Sequence, residues 1–475
     1  MSRLKDTNTE QIIRWDKNYY LHNASAGSEY VPLVIDSVEG SYMIDSEGNR
    51  ILDFMSGLVS VNMGQRNPKT MEAIKSALDR YGFLPDAYVT PYRAEAAKLI
   101  IEDLLGPDKW AGKVRFFSTG SEAVEAALIL AKLYTNRPFI VTRDFDYHGW
   151  TEGAGACTRL RRPRAMLVAP EGTQVRDVPC FPAGGYFSAI ACDCYRCPLG
   201  NEYSECKNKE KLPCISAMEG LIRNLGPENV AAVITEIIWG AYGRGPPAEY
   251  VQQLRKMTRE LGVLWIDDEV ITGFGRTGTW FAYQNYGVEP DIMTMGKGLV
   301  SSQLPASGVV VSKEIARFID QYRWVLTATY AAHPVCMAAV AANIETMIEE
   351  KIPERAIEMG KYFGAKLEEL KLRHKCIAEV SGVGLLWGVE IVKNKETKEP
   401  FIKEDKYSVG AGRELSMWPS NIVMSRCMEK GVRIGGGVVP NTIRITPSLT
   451  VTKEEIDIGV SALDYAFTKI DQMCG

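Results

Sequence analysis

Apolar residues recur every three to four positions from Pro68 to Tyr81 and again from Arg93 to Leu105, which predicts two amphipathic helices. Between Gly40 and Phe54 the pattern alternates around Ser46-Glu-Gly48, in the manner of a hairpin. From Val114 to about Ala306, short apolar runs take turns with helical stretches, the rhythm of a largely parallel sheet with helical crossovers. Beyond about Ala331 the pattern changes. A long helical run to Glu350 leads into a second from Ile352 to Leu372, then a strand from Gly384 to Val392. A short strand around Arg444 precedes a terminal helix from Lys453 to Ile470. The first forty or so residues show neither period and read as irregular, with a turn-rich stretch at Ala24–Glu29. There are no internal repeats and no low-complexity linker. The expected architecture is α/β: a large domain over 61–325 with a mostly parallel central sheet, then a smaller α+β domain over 326–475. The N-terminal segment, 1–60, is expected to join the small domain and the substrate pocket.

Composition narrows the function classes. The chain's 475 residues suffice for two domains with a substantial core. A net charge of −4 carries no excess of basic residues, which argues against nucleic acid or an anionic membrane as partner. No apolar run reaches the roughly 20 residues a membrane span needs. The first residues lack the apolar core of a secretory signal, so a cytoplasmic location is expected. Five of the 11 cysteines crowd one loop: Cys192, Cys194, Cys197, Cys206 and Cys214. Their spacing is not a paired C-x-x-C motif and no histidine lies nearby, so reduced thiols are expected rather than zinc.

The candidate chemistry begins with Lys297, which an apolar run delivers between two glycines. Upstream, Leu261-Gly-Val-Leu-Trp-Ile-Asp-Asp268 is a second apolar run that ends in carboxylates. In open α/β sheets, ligands gather at the carboxyl edge. A lysine and an aspartate there suit pyridoxal phosphate (PLP), the lysine for a Schiff base and Asp268 for the ring nitrogen. Phe116-Phe-Ser-Thr-Gly120-Ser121-Glu reads as strand, polar turn and helix, which makes an anion site for a phosphate. Tyr147, in Asp146-Tyr-His148-Gly-Trp, is placed to stack on a planar ring. Gly273-Phe-Gly275-Arg-Thr-Gly278 formally matches a dinucleotide fingerprint, but no long helix or well-spaced acidic partner follows. Its glycines are expected to shape a loop over the active site.

Together these motifs resemble the class III (ω-) aminotransferases of PLP fold type I, over nearly the whole chain. The residues that carry the resemblance are Ser118–Ala123, Tyr147–Gly149, Asp268–Gly278, Lys297 and Thr329-Tyr-Ala-Ala-His333-Pro334. The resemblance implies cofactor contacts from Gly120, Ser121, Tyr147, His148, Glu236, Asp268, Val270, Lys297 and Thr329, with Lys297 and Asp268 catalytic. Thr329 is expected to reach the phosphate in the neighbouring subunit of a homodimer. Tyr19, Val59 and Arg444 are the implied substrate residues, Arg444 for a carboxylate. Branches acting on glutamate or ornithine usually carry a second glutamate where this chain has Ala241, and a glutamine where it has Ile271. Both departures look like the ω-amine branch. A terminal amine such as taurine or β-alanine is therefore the expected donor, with pyruvate or 2-oxoglutarate as acceptor. Arg159, Arg161 and Arg162 offer a second cationic cluster for an anionic tail. Two competing readings are an aminomutase or racemase of the same fold, and a PLP-binding protein without catalysis.

Overall fold

The structure, a computed structural model, describes residues 8–22, 32–160, 184–322, 324–403, 417–436 and 439–474. Ala24–Glu29, Arg161 and Arg162 lie outside the described residues. The N-terminal region is more regular than expected. Helix α1 (Thr9–Tyr19) starts at Asn8, whose side chain accepts from the Gln11 amide. It buries none of its residues, so it lacks the core-facing stripe that makes a helix legible in sequence.

Strands β1 (Ile35–Glu39), β2 (Tyr42–Asp45) and β3 (Arg50–Asp53) pair antiparallel, with β2 and β3 forming the expected hairpin. Helix α2 (Pro68–Arg80) follows, capped by the Asn67 side chain. The next predicted helix is split into an α segment, Pro91–Lys98, and a wider π turn, Leu99–Leu104.

The central sheet has seven strands: β4 (Ala111–Phe117), β5 (Phe139–Arg143), β6 (Tyr186–Ala189), β7 (Val230–Thr235), β8 (Leu264–Asp268), β9 (Ile292–Met295) and β10 (Ser307–Ser312). Their order is β4-β10-β9-β8-β7-β5-β6. Only β10 runs against its neighbours. Every residue of β7 is buried, as expected of a strand covered on both faces. Helix α3 (Gly120–Thr135) packs Ala123, Ala127 and Leu130 against one face, in a cluster with Ile234, Ile266 and Ile292. Register places Asp268 beside Thr294, and Thr235 beside Asp267. The chain following β7, β8 and β9 therefore emerges at one edge.

Helix α4 (Pro213–Leu225) lies between β6 and β7 in sequence, and α5 (Pro334–Glu349) and α6 (Ile352–Arg373) follow the sheet. Strands β11 (Ile377–Val383), β12 (Leu386–Asn394) and β13 (Glu399–Pro400) form a second ladder. The short β14 (Val432–Arg433) adds in parallel to β3, while β15 (Thr442–Ile445) joins β12. The amino-terminal strands and the carboxyl-terminal region thus share one sheet. Helix α7 (Lys453–Asp471) ends the fold. Among the described residues, no helix is long and apolar enough to cross a membrane.

The glycines of the turn at 273–278 allow close packing. Gly275 and Gly278 have φ of +87° and +88°, and a Cβ on them would meet Ile352 and Ile357 of α6 at 2.9 and 2.6 Å. Between them Arg276 is fully buried, donating to the carbonyls of Leu385 (3.0 Å) and Pro447 (2.6 Å) and to Asn62 Oδ1 (2.9 Å).

Candidate active site

Asp268 ends β8 with both carboxylate oxygens engaged. His148 Nδ1 lies 2.7 Å from Oδ2, while the Thr294 hydroxyl (2.9 Å) and the Val270 amide (3.1 Å) donate to Oδ1. Behind His148 stands Asp146, its Oδ2 3.9 Å from Nε2, and Asp146 is bound in turn by Arg143 at 2.7 Å. All three are buried. Burial alone would lower the His148 pKa, but the hydrogen bond and charge of Asp268, then Asp146 and Glu236, raise it overall. Asp268 is thus a carboxylate held in place by a cation-bearing column, suited to pair with a protonated ring nitrogen. His148 is buried and contacts the side chain of Asp268.

Lys297 follows the end of β9 with a backbone φ of +42°, a left-handed conformation rare outside glycine. Such strain persists where surrounding structure enforces it, and it concentrates at functional sites. Gly298 is needed next to it, since a Cβ there would strike the Asn62 amide. Desolvation, then the positive charge of Arg444, pushes the Lys297 pKa down from 10.5 to about 8, against the pull of Glu236 and Asp268. Glu236 follows β7. Its Oε2 accepts from the Tyr147 amide (2.8 Å) and its Oε1 from the Gly240 amide (3.1 Å). Burial and then Asp146 push its carboxyl up to about 8.

The anion end is built at the start of α3. Thr119 caps the helix through the Glu122 amide, and Glu122 reaches back to the amides of Ser118 and Thr119. This capping box leaves the first-turn amides of Gly120 and Ser121 aimed out of the helix end. A Cβ on Gly120 would meet Val270 at 3.2 Å, and one on Gly149 would strike Ser121 Oγ, so the backbone comes close around a small cradle. Tyr147, Val270, Gly120, Ser121 and Lys297 all keep partial exposure, as groups lining an open cleft do. These residues fit PLP: an anion cradle, a fixed carboxylate and a lysine with a depressed pKa converge there. Thr329 is exposed in the single chain.

Arg444, on β15, is 9% exposed, and one of its terminal nitrogens donates to the Gly240 carbonyl. Burial lowers its pKa to about 10, with Arg433 pressing the same way and Glu236 opposing. Among the described residues no carboxylate forms an ion pair with it, whereas Arg433 is bound to Asp53 at 2.8 Å. Ile271 packs against Gly240, where a Cβ would strike it, and Ala241 lies beside Phe145 and Trp239. The Gly240–Ala241 turn that accepts from Arg444 is therefore flanked by apolar side chains. Val59 is buried in the main core with φ of +56°, and its neighbour Leu58 is the exposed residue of that turn. Tyr19 is 83% exposed on α1, and among the described residues no hydrogen bond, ion pair or ring contact joins it to the site. Arg143, Asp146 and Thr294 went unassigned in the sequence reading. Arg143 and Asp146 flank the Tyr147 motif at the end of a buried strand, and two opposite charges three residues apart there were the available signal.

The family model for aminotransferase class-III matches residues 24–467. The chain belongs to the class-III aminotransferases. It is thus a PLP-dependent enzyme of fold type I. Among class-III structures, an S-selective transaminase from Arthrobacter sp. is 50% identical, with a TM-score of 0.92 over 98% of this chain and 99% of that one. A taurine:2-oxoglutarate aminotransferase from Bifidobacterium kashiwanohense is 28% identical, with a TM-score of 0.87 over 99% of this chain and 100% of that one. A leucine/methionine racemase from Thermococcus litoralis is 31% identical over 93% of this chain and 92% of its own length.

Proposed function

We propose that this class-III aminotransferase moves an amino group from a terminal primary amine to an oxo-acid whose carboxylate pairs with Arg444. The observation that carries this reading is the buried guanidinium of Arg444 near Lys297, which forms no ion pair with a carboxylate among the described residues. A buried charge is costly unless a partner completes it, and an incoming carboxylate would supply that partner. The apolar wall of Ile271 and Ala241 adds no negative charge to compete. Pyruvate and 2-oxoglutarate are the acceptors to try first. The named activity of the Bifidobacterium neighbour makes taurine the first donor to try, with β-alanine beside it as another terminal amine with an anionic far end.

PLP, when bound, supplies an electron sink for charge developing on the substrate carbon. Asp268 would keep the ring nitrogen protonated, with His148, Thr294 and the Val270 amide holding that carboxylate in place. The first-turn amides of Gly120 and Ser121 would hold the phosphate, and Tyr147 and Val270 would pack on the ring. Lys297 Nζ, once free, takes the proton from the donor carbon and returns it in the second half-reaction. Thr329 is assigned to the phosphate of the partner's site in a homodimer.

A panel of donors and acceptors with wild type and Arg444→Ala tests the reading. Losing a buried charge pair should cost about 2–5 kcal/mol in acceptor kcat/KM, while the cofactor's spectrum stays intact. Unchanged acceptor kinetics would remove Arg444 from the site, and activity confined to neutral amines would remove the anionic donors. The likeness to a racemase favours one second reading. Conversion of an L-amino acid to its D form, with no keto product released, would establish it.

A further inference from the structure

Outside the active site, one cavity is lined by Cys192, Cys194, Cys197 and Cys206 from the loop between β6 and α4 and by Cys214 from the start of α4. All five are free thiols. Among the described residues, no three histidine, cysteine or acidic side chains are set to hold a metal ion. Instead the arrangement centres on Cys192. Cys192 is 5% exposed, lines this cavity with Cys194 and Cys214, and lies within interaction range of both their thiols. The two flanking thiols differ in surroundings. Cys214 is the second residue of the 13-residue helix α4, whose start has no side-chain cap. The hydrogen bond from Cys192, then the amides of Ile215 and Cys214 itself, lower its pKa. Cys194 has the bond from Cys192 but no helix amides, and Asp193 and Glu379 place negative charge beside it. Negative charge therefore settles best on Cys214, at the positive end of a helix, while Cys192 stays neutral against it. A thiolate in contact with a neutral thiol is the arrangement for two-step oxidation.

We propose that Cys214 and Cys192 form an oxidant-reactive dithiol, a modification site for hydroperoxides separate from the transamination site. In the first step the Cys214 thiolate attacks the peroxide. An S–O bond forms, the O–O bond breaks, and the alkoxide leaves as an alcohol after taking a proton. In the second, the Cys192 sulfur attacks Cys214. The S–S bond forms, the S–O bond breaks, and hydroxide leaves as water with the Cys192 proton. Two thiols lose two electrons to one hydroperoxide. Cys192 is the resolving partner because it lines the same cavity within interaction range of Cys214 and is shielded from bulk reagent.

The test uses full-length holoenzyme treated with hydrogen peroxide, then digested without reductant and mapped by mass spectrometry. A Cys192–Cys214 cross-linked peptide is expected, together with loss of two titratable thiols per chain. In Cys192→Ser, the sulfenic acid should persist on Cys214 and be trapped by dimedone. In Cys214→Ser the fast phase of thiol loss should disappear, because the thiolate that attacks the peroxide is gone. Both variants should keep the wild-type cofactor spectrum; if either misfolds, the wild-type map alone decides. A cross-link between Cys192 and Cys194 would overturn the assignment. So would stoichiometric zinc in enzyme purified without added metal, or a Cys214 no faster than glutathione.

Discussion

Lys297 and Glu236 approach neutrality from opposite sides. Burial discourages the ammonium of one and the carboxylate of the other, so each has a pKa of about 8. For Lys297 the sign is direct: the free amine becomes abundant as pH rises through about 8 rather than 10.5. Capture of PLP by apoenzyme needs that free amine, so its rate should climb through this range and then level off, as followed by visible absorbance. Arg444 contributes positive charge to the shift. In Arg444→Gln the midpoint should therefore move to higher pH, and an unmoved midpoint would mean that the guanidinium does not act on Lys297. At the residue scale much of this site was legible. A lysine between glycines and an aspartate ending an apolar run are local signals. Arg143 and Asp146 were not legible as a pair behind the site, because nothing in sequence says that their strand end faces His148 and Glu236.

At the scale of elements, the acceptor wall depends on one close approach. β15 places Arg444 directly opposite Gly388 of β12. A Cβ on Gly388 would run into the carbonyl of Tyr242, and one on Gly243 would meet the Trp387 backbone at 2.5 Å. The loop holding Gly240 and Ala241 thus rests on a strand that only glycine lets it approach. Gly388→Ala should cost about 1–3 kcal/mol of stability from overpacking. It should also lower acceptor kcat/KM, with PLP binding preserved, because the loop and not the cofactor cradle is displaced. Denaturant unfolding and steady-state kinetics together check this, and equal losses in cofactor affinity would contradict it. Helix α1 marks the opposite case at this scale. It has a cap and helix-forming residues but no buried stripe, so periodicity alone passes over it.

For the whole molecule, the single chain leaves apolar surface near Thr329. Tyr330 and Tyr88 are 64% and 63% exposed, and Phe83 meets Tyr330 edge to face at 6.2 Å. Contiguous apolar patches on a soluble chain mark interfaces. Sedimentation should therefore show a dimer. Mixing inactive Lys297→Ala with inactive Thr329→Asp should restore about a quarter of wild-type activity, since half the random dimers are hybrids with one intact site. A fully active monomer, or no recovery after subunit exchange is shown, would end the shared-site proposal.

What the sequence determined by itself was chemistry tied to short-range order. Buried parallel strands announce themselves as apolar runs, and the Lys297, Asp268 and Gly120–Ser121 groups lie at the ends or turns of such runs. That sufficed for the fold class and the cofactor. Only the tertiary structure decided what depends on distant segments meeting. It showed the glycine-rich turn around Arg276 packed against α6, and His148 standing behind Asp268. It also left Arg444 buried near Lys297 without an ion-paired carboxylate among the described residues. Each is a matter of which surfaces exclude water together, and hydrophobic burial is non-directional, so local pattern carries little record of it.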